Sequence, residues 1–291
     1  PMDGVELFQH RDSDDPLRDL VRVVRPGNLG IDKAWPSRFL IQLMEQRGDI
    51  TPVLGSAPVD DARMRKDATE IELLRRASRI NDTVVAAGIA ALHEGVTETE
   101  VASAVEEAFR KAGAERGEGQ LVCFGANAAD PHHGPNQTVI TDGDCAVLDI
   151  FIPFDRYWCD MTRTVFFRSV TEEERRIYET VKEANLTAES VIRPGLPMSE
   201  FDAAARRVIE KAGYGPYFTH RLGHGLGLDC HEPPDNSASC HVIAEPGMVF
   251  SVEPGIYLPG KTGVRIEDLV LVTETGCEVL NHYTKELQIV K

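Results

Sequence analysis

The chain has 291 residues, 42% of them hydrophobic, enough for one large domain or two smaller ones around a buried core. Forty-seven acidic against thirty-one basic residues leave a formal net charge of -16, which argues against nucleic acid or an anionic membrane surface as partner. No run of about 18 apolar residues is present to span a bilayer as a helix, and the first residues lack a basic-then-apolar secretory pattern, so the cytoplasm is the expected compartment. Six cysteines are scattered without a C-x-x-C pair and are expected as reduced thiols.

Residues 1–65 carry Pro/Gly/Asp-rich breaks (RPGNLGIDKAWP, VLGSAPVDD) around one helix expected near 37–47. That is little material for an independent core, so a partial domain and linker are expected there, followed by the main domain at 66–291. Thr69 and Glu72 have the spacing of a capping box and predict a helix running to Gly95; Thr97 and Glu100 predict a second, ending at Gly113. GVTETEVASAVEEAFRKAG (95–113) aligns without a gap with GLPMSEFDAAARRVIEKAG (195–213), and the helix before it has a length-matched partner over 172–195. Two copies of a helix–helix–strands unit predict an α+β domain with an internal pseudo-two-fold.

Each copy should continue into strands. CAVLDIFI (145–152) and YWCDMTRTVFF (157–167) flank the turn PFDR; a hairpin about its midpoint sets Asp149 directly opposite Asp160. Their Cβ atoms would then stand about 4.5 to 5.5 Å apart, where like charges destabilise a sheet. In the second copy, MVFSVEPGIY (248–257) and GVRIEDLVLV (263–272), folded about Gly260, bring Glu253 opposite Glu267. Two acidic pairs in matching places, with imidazoles from HRLGHGLGLDCHEPP (220–234), predict a binding site for divalent metal, most simply two ions. An oxygen-rich set without thiolate suits manganese, although cobalt, iron or zinc could occupy it.

LDIFIPFDRYWCDMTRT, GHGLGLDCHEPP, VEPGIY and VRIEDLV resemble, in order, the characteristic segments of the pita-bread metallopeptidases. That family comprises Xaa-Pro dipeptidase (prolidase), aminopeptidase P, methionine aminopeptidase and the metal-free creatinases. The resemblance covers 66–291 and implies the pita-bread (creatinase/aminopeptidase) fold. Residues 1–65 resemble the second half of the family's N-terminal domain, whose first half would be absent. The resemblance also implies that Asp149, Asp160, His224, Glu253 and Glu267 hold two divalent ions, with Asp160 and Glu267 bridging. A water or hydroxide between the ions would be the nucleophile. His132, His220 and His231 match positions that hold substrate, stabilise the tetrahedral intermediate or transfer protons, and with Glu253 and Arg265 they form the expected catalytic set. Arg265 resembles an arginine that hydrogen-bonds a bridging ligand from behind; His133 has no counterpart.

HGLGLDCHEPP and its lead-in THRLG look most like the Xaa-Pro branch, so the expected activity is hydrolysis of the Xaa-Pro bond at the N-terminus of dipeptides or short peptides, by a homodimer. The alternatives are an aminopeptidase P acting on longer Xaa-Pro peptides and a non-catalytic metal-binding member of the fold. Some prolidases clamp the dipeptide's carboxylate with an arginine placed between the positions of His231 and Glu253. This chain has no Lys or Arg between Arg221 and Lys261, a departure that leaves dipeptide specificity open. The glycines at 223–227 are expected to let backbone approach metal and substrate closely.

Overall fold

The computed structural model describes residue 4, residues 7–114 and residues 119–291, and divides into two units, Pro1–Ala62 and Arg63–Lys291. The first unit holds α1 (Arg18–Val23), β1 (Gly27–Ile31), α2 (Ser37–Gln46) and β2 (Ile50–Leu54), with α3 (Ala57–Met64) beginning at its end. β1 and β2 pair in parallel, an arrangement no tight turn can close, and α2 supplies the crossover. Its core is small: Leu17, Leu43 and Ile50, with Trp35 and Phe39 packed against them.

In the second unit, α4 (Ala68–Ala90) starts on a cap two residues earlier than the sequence pattern suggested. Asp67, rather than Thr69, accepts from the main-chain N–H groups of Thr69 and Glu70, while Glu70 accepts from the N–H of Asp67. Both Asp67/Glu70 and Thr69/Glu72 have capping-box spacing, and the carboxylate prevails because its full charge meets the positive end of the helix. The helix also ends at Ala90, before Gly95. α5 (Glu98–Ala112) is capped by Thr97 and Glu100 and stopped by Gly113 at φ 89°, as expected.

The second copy repeats the pattern with α6 (Glu172–Val191), boxed by Thr171 and Glu174, and α7 (Met198–Lys211). Val101, Val105 and Phe109 of α5 are fully buried, and so are Phe201, Ala205 and Ile209, one hundred positions on in α7. A spacing of four lines up one helix face, so both copies bury the same stripe.

Strands follow each helix pair. After α5 come β3 (Gln120–Phe124), β4 (Cys145–Phe154) and β5 (Tyr157–Phe167). After α7 come β6 (Gly223–Gly225), β7 (Glu232–Asn236), β8 (Val249–Val252), β9 (Gly255–Leu258), β10 (Thr262–Arg265), β11 (Asp268–Val272), β12 (Cys277–Val279) and β13 (Ile289–Val290). One sheet has the order β13-β5-β4-β3, another β12-β11-β8-β6-β7, and β9 pairs with β10. This is the mixed α+β pita-bread arrangement.

The first hairpin departs from the expected register. Asp149 faces Thr162 and Phe151 faces Asp160, because the turn is Asp155–Arg156 alone, both at positive φ (49° and 73°). A two-residue turn of that hand matches the twist of the strands. The shift is by two positions, so Asp149 and Asp160 keep one face but become diagonal neighbours. In the second copy the expected register holds: Arg265 faces Gly255 and Asp268 faces Val252, which leaves Glu267 across from Glu253. Each long run breaks there, since Pro254 has no N–H to give a ladder.

The glycines of β6 serve the sheet itself. A Cβ on Gly223 would lie 2.1 Å from the carbonyl oxygen of Ser251, and one on Gly225 2.5 Å from that of Glu232. They are small because neighbouring strands press on them, a constraint the sequence pattern did not announce.

Candidate metal centre

Five polar side chains from both copies reach one cavity of about 710 Å³: Asp149 from β4, Asp160 from β5, His224 from β6, Glu253 after β8 and Glu267 after β10. Buried asparagines on the long helices support two of these strands. Asn81 donates to the carbonyl of Ile150 at 2.8 Å and Asn185 to that of Val252 at 2.9 Å, each beside a candidate ligand.

Within the cavity, ligand atoms of Asp160, His224 and Glu267 all lie within 4.8 Å of one another. His224 Nε2 is 3.4 Å from Glu253 Oε1 and 3.7 Å from Asp160 Oδ2. Its Nδ1 faces the carbonyl of Gly225 at 3.2 Å; a carbonyl can only accept, so Nδ1 carries the proton and Nε2 turns a lone pair toward the carboxylates. Ser251 steadies this side, donating to Glu253 Oε1 at 3.1 Å and accepting from the His224 N–H at 2.9 Å.

The electrostatics are those of carboxylates crowded together out of water. Burial, then Glu267, Asp149 and Glu253, holds the Asp160 carboxyl well above its ordinary range; burial, then Glu253 and Asp149, does the same to Glu267. Burial above all raises Glu253 to about 7, and burial followed by the neighbouring His231 pushes His224 down to about 3. Buried Oδ1 atoms on Asp149 and Asp160 have no hydrogen-bond partner. Orphaned carboxylate oxygens around an unprotonated imidazole nitrogen fit divalent metal and fit poorly with anything anionic.

Behind these groups runs a chain of hydrogen bonds. Thr162 donates to Glu267 Oε2 at 2.6 Å, and Arg265 donates from Nε to Thr162 at 3.1 Å, from Nη2 to Asp149 Oδ2 at 2.7 Å and from Nη1 to Tyr257 at 3.0 Å. Arg265 therefore touches Asp149 directly and Glu267 only through Thr162. Tyr257 in turn donates to His220 Nε2 at 2.8 Å, while His220 Nδ1 donates to the carbonyl of Arg221 at 2.7 Å. Burial first, then Arg265, lowers His220 to about 4, so it stands neutral.

His231, exposed at the mouth, packs its ring 3.9 Å from that of His224. His132 is also exposed and lines the same cavity. His133 turns elsewhere, to the buried carboxylate of Glu98 at 3.3 Å. Thr162, Ser251 and Tyr257 were absent from the sequence reading. Cys230 was passed over too: its thiol stands 3.8 Å from Asp160 Oδ2, and burial followed by that carboxylate keeps it protonated. Thr162 had a signal, two residues from Asp160 on the same strand face.

Comparison with known proteins agrees with this geometry. The model of metallopeptidase family M24 matches residues 72–274. The chain is similar to a prolidase from Thermococcus sibiricus (TM-score 0.93, 35% identity, 98% of this chain and 80% of that one). It is similar also to the dipeptidase PepE from Mycobacterium ulcerans (TM-score 0.91, 36% identity, 96% and 76%). The Xaa-Pro dipeptidase from Bacillus anthracis follows (TM-score 0.85, 35% identity, 90% and 74%), and an aminopeptidase P from Escherichia coli is more distant, at TM-score 0.76 and 26% identity. With the family's model spanning more than half of the sequence over the very strands that carry the buried carboxylates, this chain belongs to metallopeptidase family M24.

Proposed function

We propose that the protein is an Xaa-Pro dipeptidase, hydrolysing the bond between an N-terminal residue and a following proline, with two divalent ions held by Asp149, Asp160, His224, Glu253 and Glu267. The observation that carries this reading is the convergence of four carboxylates and one unprotonated imidazole nitrogen on a cavity of about 710 Å³, room enough for a short peptide. Bound divalent ions would supply a Lewis acid for the scissile carbonyl and a lowered pKa for water.

The protein's own groups supply the rest. Arg265 and Thr162 orient Asp149 and Glu267, fixing which oxygens face the cavity. His220, neutral and held between Tyr257 and the carbonyl of Arg221, fixes the Tyr257 hydroxyl beside Arg265, while His231 and His132 stand at the mouth where a substrate carbonyl and leaving nitrogen would pass. Manganese as the working ion and a homodimer rest on donor chemistry and resemblance; the cytoplasm rests on composition. Among the described residues no helix is long and apolar enough to cross a membrane.

One observation favours a second reading, aminopeptidase P activity on longer peptides: residues 222–260 contain no Lys or Arg to meet a dipeptide's carboxylate. Manganese-loaded protein offered an Xaa-Pro dipeptide and an Xaa-Pro-Yaa-Zaa tetrapeptide, with a chelated control, separates the two. The dipeptide is expected to be cleaved faster; preference for the tetrapeptide supports the second reading, and inertness toward a broad Xaa-Pro panel supports a non-catalytic member of the fold.

A further inference from the structure

We infer that Arg221 anchors the free carboxylate of the substrate's proline, and that Asp235 holds the guanidinium in place until substrate arrives. The inference rests on the dipeptidase reading above and deepens it by naming the substrate class: Xaa-Pro peptides whose second residue is also the last.

A dipeptide brings an ammonium and a carboxylate into a cavity already rich in carboxylates. The ammonium is drawn in; the carboxylate is repelled unless a cation meets it. Two arginines line the cavity, Arg265 and Arg221. Arg265 is buried and committed, with Asp149, Thr162, Tyr257 and the carbonyl of Pro131 on its nitrogens. Arg221 is different: its side chain is 38% exposed, and its Nη1 stands 3.4 Å from Asp235 Oδ1, on a carboxylate that is itself 58% exposed. Surface ion pairs of that kind hold weakly, so a substrate carboxylate can replace Asp235. A guanidinium also suits a carboxylate better than an ammonium does, since it donates along two parallel N–H directions.

Position supports the assignment. Arg221 lies between His220 and β6, with its carbonyl held by the His220 ring, and Asp235 faces His224 across the β6–β7 ladder. Arg221 and His231 also line a second hollow of about 650 Å³ running along 231–242. Lining both hollows, the Arg221 guanidinium is placed to meet the far end of a substrate, and a cation there would stand in for the one that 222–260 lacks.

The test compares Ala-Pro with Ala-Pro-amide, which lacks the negative charge, in the manganese-loaded wild type, Arg221→Gln, Arg221→Lys and Asp235→Asn. Wild type is expected to prefer the free acid. Arg221→Gln should raise KM for the acid about ten- to a hundredfold, with kcat little changed and the amide unaffected. Arg221→Lys should recover part of the loss, and Asp235→Asn should lower KM for the acid roughly two- to fivefold. Calorimetric binding of proline and prolinamide reads the same contact without turnover. An acid-over-amide ratio unchanged by Arg221→Gln, in turnover or in binding, overturns the inference while leaving the dipeptidase reading intact. A wild type that cleaves no Xaa-Pro peptide overturns that reading instead, and equal binding of proline by wild type and Arg221→Gln would then remove the anchor as well.

Discussion

Thr162 stands behind the carboxylates rather than among them, yet its hydroxyl gives Glu267 Oε2 a 2.6 Å hydrogen bond and receives one from Arg265. Removing it leaves Glu267 free to turn and Arg265 without one of its acceptors. Thr162→Val is nearly isosteric, so the fold should persist while divalent-metal affinity falls about 10- to 100-fold, measured by competition with a chelator. Unchanged affinity would mean that the strands alone fix Glu267. At this scale the carboxylates and His224 were readable in advance, because acidic residues on strand faces and an imidazole among glycines are unusual enough to mark themselves. Ser251, Tyr257 and Arg221 were not, and Thr162 only through its place two residues from Asp160 on one strand face. Hydroxyls and single arginines occur on every strand and loop, and only the three-dimensional pairing of β5 with the segment after β10, or of Tyr257 with His220, gives them a place.

Among the elements, the segment after β12 contributes what no pattern announced. Arg163 on β5, 1% exposed in its side chain, donates to the carbonyls of Thr162 and Glu267, to Asp268 at 2.7 Å and to the carbonyls of Tyr283 and Thr284. Lys285 adds an ion pair to Asp268 at 2.9 Å and another to Glu189 on α6 at 2.7 Å. Two strands, a long helix and the chain's last segment are thus tied together directly behind Glu267. Asp268→Ala strands the buried Arg163 charge and should cost about 3 to 5 kcal/mol, a fall in Tm of about 6 °C or more in a thermal scan. A fall of a degree or less would show the carbonyls to be sufficient partners. The hairpin register failed in advance for a related reason: a turn is set by two residues, and one taken as four displaces every pair while leaving each face intact. The helix repeats were legible because caps and four-residue spacings are local.

Over the whole molecule, the cavity makes stability depend on pH and on metal. Without metal, Asp160 and Glu267 are held well above their ordinary range, Glu253 is raised to about 7, and Glu189 also to about 7 by burial and then Asp268. A raised carboxyl pKa stabilises the fold below the unfolded value near 4.5, and that contribution is lost as pH rises through the folded pKa. His220 and His224 act the opposite way, losing stability as pH falls from about 6.5 toward 4 and 3. Between pH 6.5 and 8 the histidines are level and the carboxylates decide, so metal-free protein should grow less stable across that interval in chemical denaturation. Manganese at a hundredfold excess over its Kd should add about 2.7 kcal/mol and abolish the decline, since deprotonated carboxylates bind it better. Metal-free stability that rises across the same interval would contradict the repulsion assigned to the cavity.

The most direct test of the central claim is to titrate manganese into metal-free protein while counting bound ions and following proline release from Ala-Pro, with Asp160→Ala alongside. Two ions per chain, proline release that grows with their binding, and neither in Asp160→Ala are the predicted results. Turnover retained in Asp160→Ala, or a fully loaded wild type that releases no proline, would contradict it.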